Sequence, residues 1–350
     1  MQTIQKTKSR ESNFELLRLV LMFMIIVHHG IVHGLKISSI ASREELTNSL
    51  STCLIGGGGG ICLLIIDVNV FILISGCFSI KPTKKKVASL LIQLFTYTFF
   101  LNALPYLILK GDIKTFLLIT LFISHSPYWF MIDYLILFCF APMLNEYLDR
   151  MNKRQHLLFA SLFLFVSCYL GFVWGHAANS NGYTIFNFIT LYIIGRYLKI
   201  YNLSVKTWIA IAGYLSLSLC SAAGFILLYK LGMGSKAWHM TYYNSPLVIG
   251  ASVCFFLVFK NLRIQSERIN ILSKSSLATY LISSSLLGGV FYKEVALQFQ
   301  NNGDMAAIST IIVGAIIFML LAFIIDPIYR QAYTIVCNKT GHSLSTDFES

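Results

Sequence analysis

Ten apolar runs follow one another along this 350-residue chain, over roughly 14–34, 56–78, 87–109, 127–148, 156–175, 183–200, 206–230, 244–261, 274–292 and 306–330. A run of about 17–25 apolar residues is long enough to cross the hydrocarbon layer of a bilayer as a helix. Hydrocarbon offers no partners to a backbone, so a spanning segment must satisfy its own hydrogen bonds. The expected fold class is therefore an all-α polytopic membrane protein of about ten transmembrane helices. Composition agrees: 56% of residues are hydrophobic and 12% charged, with a mean hydropathy of +0.69, against about 25% charged in a soluble domain. One further apolar stretch, 113–124, is short and fits an interfacial or re-entrant piece.

The net charge of +12 invites a nucleic-acid reading, but the charges sit in short loops between apolar runs. There they act as topology signals, because loops rich in Lys and Arg stay cytoplasmic. Of the 27 Lys and Arg residues, 20 fall in alternate segments beginning with the N-terminal one, and 7 fall in the segments between. This skew places both termini in the cytoplasm and makes nucleic acid an unexpected partner. A multi-pass protein of the plasma or inner membrane is expected, with one membrane domain over 1–337 and a short polar tail over 338–350. Lys6, Lys8 and Arg10 before an apolar core imitate a signal peptide, but the segment is read as an uncleaved first span. The eight cysteines form no C-x-x-C pair and lie mostly in apolar runs, which suits small hydrophobes better than a disulfide framework or metal site.

The first run is the most informative. It reads Glu11-Ser-Asn-Phe-Glu15-Leu-Leu-Arg18, continues through nine apolar residues, and ends His28-His29-Gly30-Ile-Val-His33-Gly34. Eleven positions separate Arg18 from His29; at about 100° per residue that is roughly 20° past three turns. The two share a face, with about 16 Å of axial rise between them. His33 and Glu15 return to the same side, while His28 falls about 80° away. An arginine here can be a simple anchor, and a membrane histidine can serve helix packing. Three histidines within six residues, one in register with the arginine, point instead to function, because intramembrane ionisable groups are costly and usually employed.

Other polar residues punctuate the runs: Asp67, Asn69 and Ser75 in the second, then Tyr128-Trp129-Phe130 and Asp133 in the fourth. Lys81-Pro-Thr-Lys84-Lys85-Lys86 follows the second run and can meet a phosphate-bearing cytosolic ligand or anionic lipid. Gly56 to Gly60 is followed by Ile-Cys-Leu-Leu rather than Lys and Ser/Thr, so it is not a phosphate loop.

In this order these blocks resemble the membrane-bound acyltransferase-3 family, in its bacterial polysaccharide O-acetyltransferase branch. The blocks are Leu17-Arg18 with His29, Val68-Asn69-Val70-Phe71 with Ile74-Ser75-Gly76, Tyr128-Trp129-Phe130 through Pro142 and Asn145, and Ser275 to Ile282. The resemblance covers essentially the whole chain. It implies ten core helices and acyl transfer from cytoplasmic acetyl-CoA, a co-substrate rather than a bound cofactor, to sugar hydroxyls of an envelope polysaccharide or lipid-linked glycan. It implies a catalytic His29 and a donor-binding Arg18, the pair the helical register selects. The chain differs from the family pattern in having Lys84-Lys85-Lys86 in place of an Arg-x-x-Arg pair, His33 in place of an acid, and Ser283 in place of a histidine.

The expected site therefore has His29 as general base, His33 and Asp133 as catalytic partners, Arg18, Lys84, Lys85 and Lys86 on the donor, and Asn69, Ser75 and Trp129 on the acceptor. Either Asp67 or Asp133 would orient the imidazole. The competing reading is a proton-coupled secondary transporter or a translocase of glycans or lipid-linked sugars, since buried Asp and His suit such a carrier. No internal repeat relates the two halves, and the His/Arg cluster occurs once.

Overall fold

The computed structural model describes residues 11–35, 59–121 and 128–339. Among them there is no strand. The first run forms α1 (Ser12–His29), prolonged by a wide π turn over Gly30–Gly34. The second is α2 (Gly59–Leu64) and α3 (Asp67–Phe78), broken between them at Ile65–Ile66. Next come α4 (Lys84–Thr98), which continues through a π turn into α5 (Leu104–Lys110), and the short α6 (Ile113–Thr120). Then follow α7 (Trp129–Asp149), α8 (Lys153–Ser167), α9 (Ile185–Ile200), α10 (Thr207–Lys230) and α11 (Pro246–Lys260). The chain closes with α12 (Glu267–Ser273), α13 (Ser276–Ser283), α14 (Leu286–Asn302) and α15 (Asp304–Lys339).

In their described residues all ten apolar runs are largely helical, yet among the described residues eight helical segments are both long and apolar enough to cross a membrane. The run at 183–200 yields α9, which has 16 residues and reaches only about 24 Å at 1.5 Å per residue. The run at 274–292 is two helices, because serine hydroxyls compete for the backbone. Ser285 Oγ donates to the Ile282 carbonyl (2.7 Å) and accepts from the Leu287 N–H (3.2 Å). Asn102 then accepts the Leu286 N–H at 3.1 Å, so the restarted helix begins with its donors met. The 113–124 stretch gives α6, eight residues long, which is too short to span.

The centre of the bundle is the crossing of α3 and α9. A Cβ on Gly76 would lie 2.3 Å from the Tyr192 carbonyl, and one on Gly195 would lie 2.4 Å from that of Leu73. Only glycine lets the two backbones come this close. Val70, Ile72, Leu73, Phe188, Leu191 and Tyr192 are fully buried around the crossing. Large apolar side chains on α7, α8, α10 and α15, among them Met143, Leu158, Phe165, Trp208, Leu219 and Ile324, are exposed. They suit lipid, which solvates them as well as protein does.

The start of the basic loop after α3 is fixed by Asn145, from the third block, and by Tyr192 of α9. The Ile80 N–H donates to the Tyr192 hydroxyl (3.0 Å), which donates to Asn145 (2.7 Å), whose amide donates to the Ile80 carbonyl (2.9 Å). Ser79 turns the chain with a left-handed φ of 62°. Thr83 then caps α4 by accepting the Lys86 N–H. α15 runs through Lys339, and 340–350, most of the expected polar tail, lie outside the described residues, as do Gly56 to Gly58 of the glycine run.

Candidate active site

Because α1 is regular from Ser12 to His29, the register argument holds in three dimensions. Arg18 and His29 both line a cavity of about 310 Å³. The end of α1 is pressed onto α14 and α15. A Cβ at Gly30 would stand 3.0 Å from Ile311 and one at Gly34 would stand 2.6 Å from Val295. His29 lies between two other imidazoles, with ring centroids 5.9 Å from His28 and 5.5 Å from His33. His33 is exposed and packs 5.3 Å from Tyr292. The turn immediately after His29 is a π turn, a feature that recurs at functional positions in helices.

The carboxylate expected to orient His29 pairs with its neighbour instead. His28 Nδ1 lies 3.2 Å from Asp67 Oδ2, the geometry of an imidazole N–H donating to a carboxylate. Both groups are buried. The break at Ile65–Ile66 makes Asp67 the first residue of α3, where the helix dipole favours negative charge, and its other oxygen accepts the Val68 N–H at 2.6 Å. His28 points toward α3 because it is one position, about 100°, from His29. Asp67 also reaches the cavity wall.

The opposite end of the cavity is cationic. Arg18, Lys86, Lys274 and Arg330 line it, with Glu15, Gln93, Ser273 and Ser276. Glu15 Oε1 accepts from Arg18 and Oε2 accepts from Ser273, each at 2.5 Å. The Arg18 guanidinium also sits 5.8 Å from the Phe78 ring centroid. Between the two ends the wall is aromatic and apolar: Phe71, Trp129, Phe130, Tyr134, Tyr243 and Tyr280.

The expected residues divide accordingly. Arg18, His29, Ser75, Lys86 and Trp129 meet at one cavity. Ser75 Oγ donates to the Phe71 carbonyl (3.0 Å) and to the Tyr134 hydroxyl (3.4 Å). Lys84 and Lys85 are exposed and lie outside the cavity wall, because successive residues of a helix point about 100° apart and Lys86 takes the inward position. Asn69 is fully buried and ties α3 to the loop before α11 through the Tyr243 carbonyl, at 2.8 Å. Asp133 is half-buried and also outside the cavity wall. Three residues that sequence reasoning passed over belong to the cationic end: Lys274, Arg330 and Asp326. The two cations are easily taken for topology anchors. Asp326 sits inside the last apolar run, four residues before Arg330, and that spacing was the available signal.

The acyltransferase-3 family model, an acyltransferase domain, matches residues 11–326, the stretch from the start of α1 to the buried carboxylate of α15. No curated protein and no solved structure gave a match. With both the family match and the apolar helices extending over most of its length, the chain belongs to the acyltransferase-3 family and is a multi-pass membrane acyltransferase.

Proposed function

We propose that this acyltransferase moves an acetyl or similar small acyl group from cytoplasmic acetyl-CoA to a hydroxyl of an envelope or exported glycan. This places it in the polysaccharide O-acetyltransferase branch, in the cell's inner or plasma membrane. The observation that carries the reading is the polarity of the cavity, with Arg18, Lys86, Lys274 and Arg330 at one end and His29 at the other. The cationic end faces the cytoplasm and binds the donor phosphates by charge-assisted hydrogen bonds. The pantetheine arm follows the inward face of α1 and brings the thioester to His29.

His29 takes the proton of the acceptor hydroxyl as its oxygen attacks the thioester carbonyl. The C–S bond then breaks, the acyl group stays on the sugar oxygen, and the imidazolium returns the proton to the departing thiolate. General-base help of this kind supplies roughly 10²–10⁴ in rate. The His28–Asp67 pair holds the end of α1 against α3 and so places the neighbouring imidazole. The acceptor approaches along the aromatic wall. Trp129 stands 4.5 Å from Tyr183 and 6.0 Å from Tyr243, ring to ring, and such faces pack against the apolar face of a sugar.

The test uses membranes bearing the wild type or His29→Ala at equal abundance, with acetyl-labelled acetyl-CoA and native envelope glycan. The expected result is base-labile label on the glycan with wild type and a loss of at least about 10²-fold with the variant. Equal labelling by both would remove His29 from the chemistry. Labelling by neither would remove acetyl-CoA as donor and favour a different acyl donor.

A further inference from the structure

We infer that Phe78 and Lys199 belong to the donor site: the Phe78 ring gathers Lys199 to Arg18, and Lys199 exchanges Glu11 for a phosphate of the donor. The inference rests on the acyl-CoA reading above. Phe78 is the last residue of α3, where the chain leaves the bundle for the basic loop. Its ring is 39% exposed. The buried Phe14 ring of α1 meets it at a centroid distance of 5.0 Å and an angle of 87°, so the core sets its plane. Two cations stand over it. The Arg18 guanidinium is 5.8 Å from its centroid and the Lys199 ammonium 5.5 Å, a separation at which a positive charge is drawn to an aromatic face.

Backbone packing brings these groups together. α3 and α9 cross closely at Gly76 and Gly195, so the last turn of α9 runs past the end of α3. Lys199 lies four residues after Gly195 and shares its face of the helix. The two ring distances laid end to end place Lys199 within about 11 Å of Arg18. Arg18 lines the cavity, and Lys199 lies just beyond that wall.

The two cations are held by their carboxylates very differently. The Arg18–Glu15 pair is mostly covered, with side chains 22% and 6% exposed. Lys199 meets Glu11 at 3.4 Å, with both side chains 42% exposed. An ion pair this open to water is worth little, so the ammonium can leave it for a better anion. Glu11 is also expendable to its helix. It stands at the N-cap of α1, but its side chain makes no capping hydrogen bond. The donor brings several phosphate charges in one molecule, and lysine meets a phosphate as a point charge on a flexible stem. The ring keeps the ammonium near Arg18 once Glu11 is given up, so less is lost in ordering it on binding. Phe78 is a positioning residue that acts through two cations. Lys199 is the group that touches the donor.

The experiment measures CoA binding by calorimetry to the purified full-length protein in nanodiscs of phosphatidylcholine. Lys199→Gln is expected to weaken CoA roughly fivefold, the loss of one exposed charge contact. Glu11→Gln should tighten it by about threefold, since the donor no longer competes with a surface ion pair. In the Lys199→Gln background Glu11→Gln should do nothing, because Glu11 acts only on Lys199. Phe78→Leu removes the aromatic face and should weaken CoA roughly fivefold; Phe78→Tyr keeps the face and should bind as wild type does. Phe78→Leu combined with Lys199→Gln should fall short of the product of the two effects, because both act on one contact. A merely structural role for the ring would give the full product and overturn its assignment. CoA binding unchanged by Lys199→Gln, or a Glu11→Gln effect that persists without Lys199, overturns the inference while leaving the donor reading standing. Both of those variants change exposed side chains, so they decide the matter even if Phe78→Leu does not fold. Wild type that binds no CoA overturns the donor reading and the inference with it. An anionic lipid headgroup offers the same phosphate chemistry. If Lys199→Gln and Glu11→Gln alter CoA binding only once phosphatidylglycerol is added to the nanodisc, the lysine serves lipid and the inference is overturned.

Discussion

At the cationic end of the cavity the carboxylates are tied to protein donors. Asp326 accepts from four side chains, and Glu15 accepts from Ser273 and Arg18. At the other end, His29 is flanked by the rings of His28 and His33 at 5.9 and 5.5 Å, and the nearby carboxylate is given to His28. The contrast follows from what each end has to do. Binding a phosphate requires cations held in place before the ligand arrives, so that little is lost in ordering them. Moving a proton requires an imidazole whose acceptor nitrogen is not already occupied by a protein donor. One end is built to stay as it is, and the other is built to change state during each turnover.

The sharpest way to break this contrast is Asp67→Asn. The amide keeps the size and one acceptor but loses the charge that holds His28. If Asp67 serves the histidine end, kcat should fall on the order of 10²-fold with the donor KM nearly unmoved. That is less than the roughly 10⁴-fold typical where a carboxylate orients the reacting imidazole itself, because here one residue intervenes. A rise in donor KM at constant kcat would instead assign Asp67 to the binding of acyl-CoA. The amount of folded protein in the membrane should be compared in parallel.

Much of this division was readable in advance, and the part that was not has a physical reason. Arg18 and His29 fall on one face because helix geometry fixes their angle whatever surrounds them. Long apolar runs become helices because hydrocarbon permits little else. The partner of Asp67 could not be read, since it depends on where α3 breaks and on which of two adjacent histidines it meets. The ninth run looked continuous because nothing in its hydropathy reports that Asn102, from a distant helix, would receive a new helix start at Leu286. Asp326 was visible as a carboxylate in an apolar run, but its partners come from α4, from Ser275 and from α15 itself. Lys84, Lys85 and Lys86 were alike on paper and differ only in rotation about α4.

That rotation supplies the next test. Lys86 lines the cavity and Lys85 is exposed outside it. Lys86→Gln should raise the donor KM by roughly tenfold, the loss of about one charge-assisted contact, with kcat retained. Lys85→Gln removes the same charge one residue away and should raise it by less than about twofold. Equal effects from both lysines, read from initial rates at varied acetyl-CoA, would mean that the basic loop acts as a diffuse field rather than a defined wall.

Ionic strength separates the two ends by the smallest but most general effect. The screening length shrinks from about 8 Å at 0.15 M salt to about 3 Å at 1 M. The cationic end meets a charged ligand arriving from water, so its attraction is screened during approach; His29 acts on neutral groups deep in the bundle, where salt does not reach. Raising salt over that range should therefore increase the donor KM several-fold and leave kcat unchanged. The slope should be shallower in Lys86→Gln, which has one cation fewer to screen. If kcat falls as KM rises, the ends are coupled. The proton transfer at His29 then depends on how firmly the phosphates are held, and the cavity works as one unit rather than two.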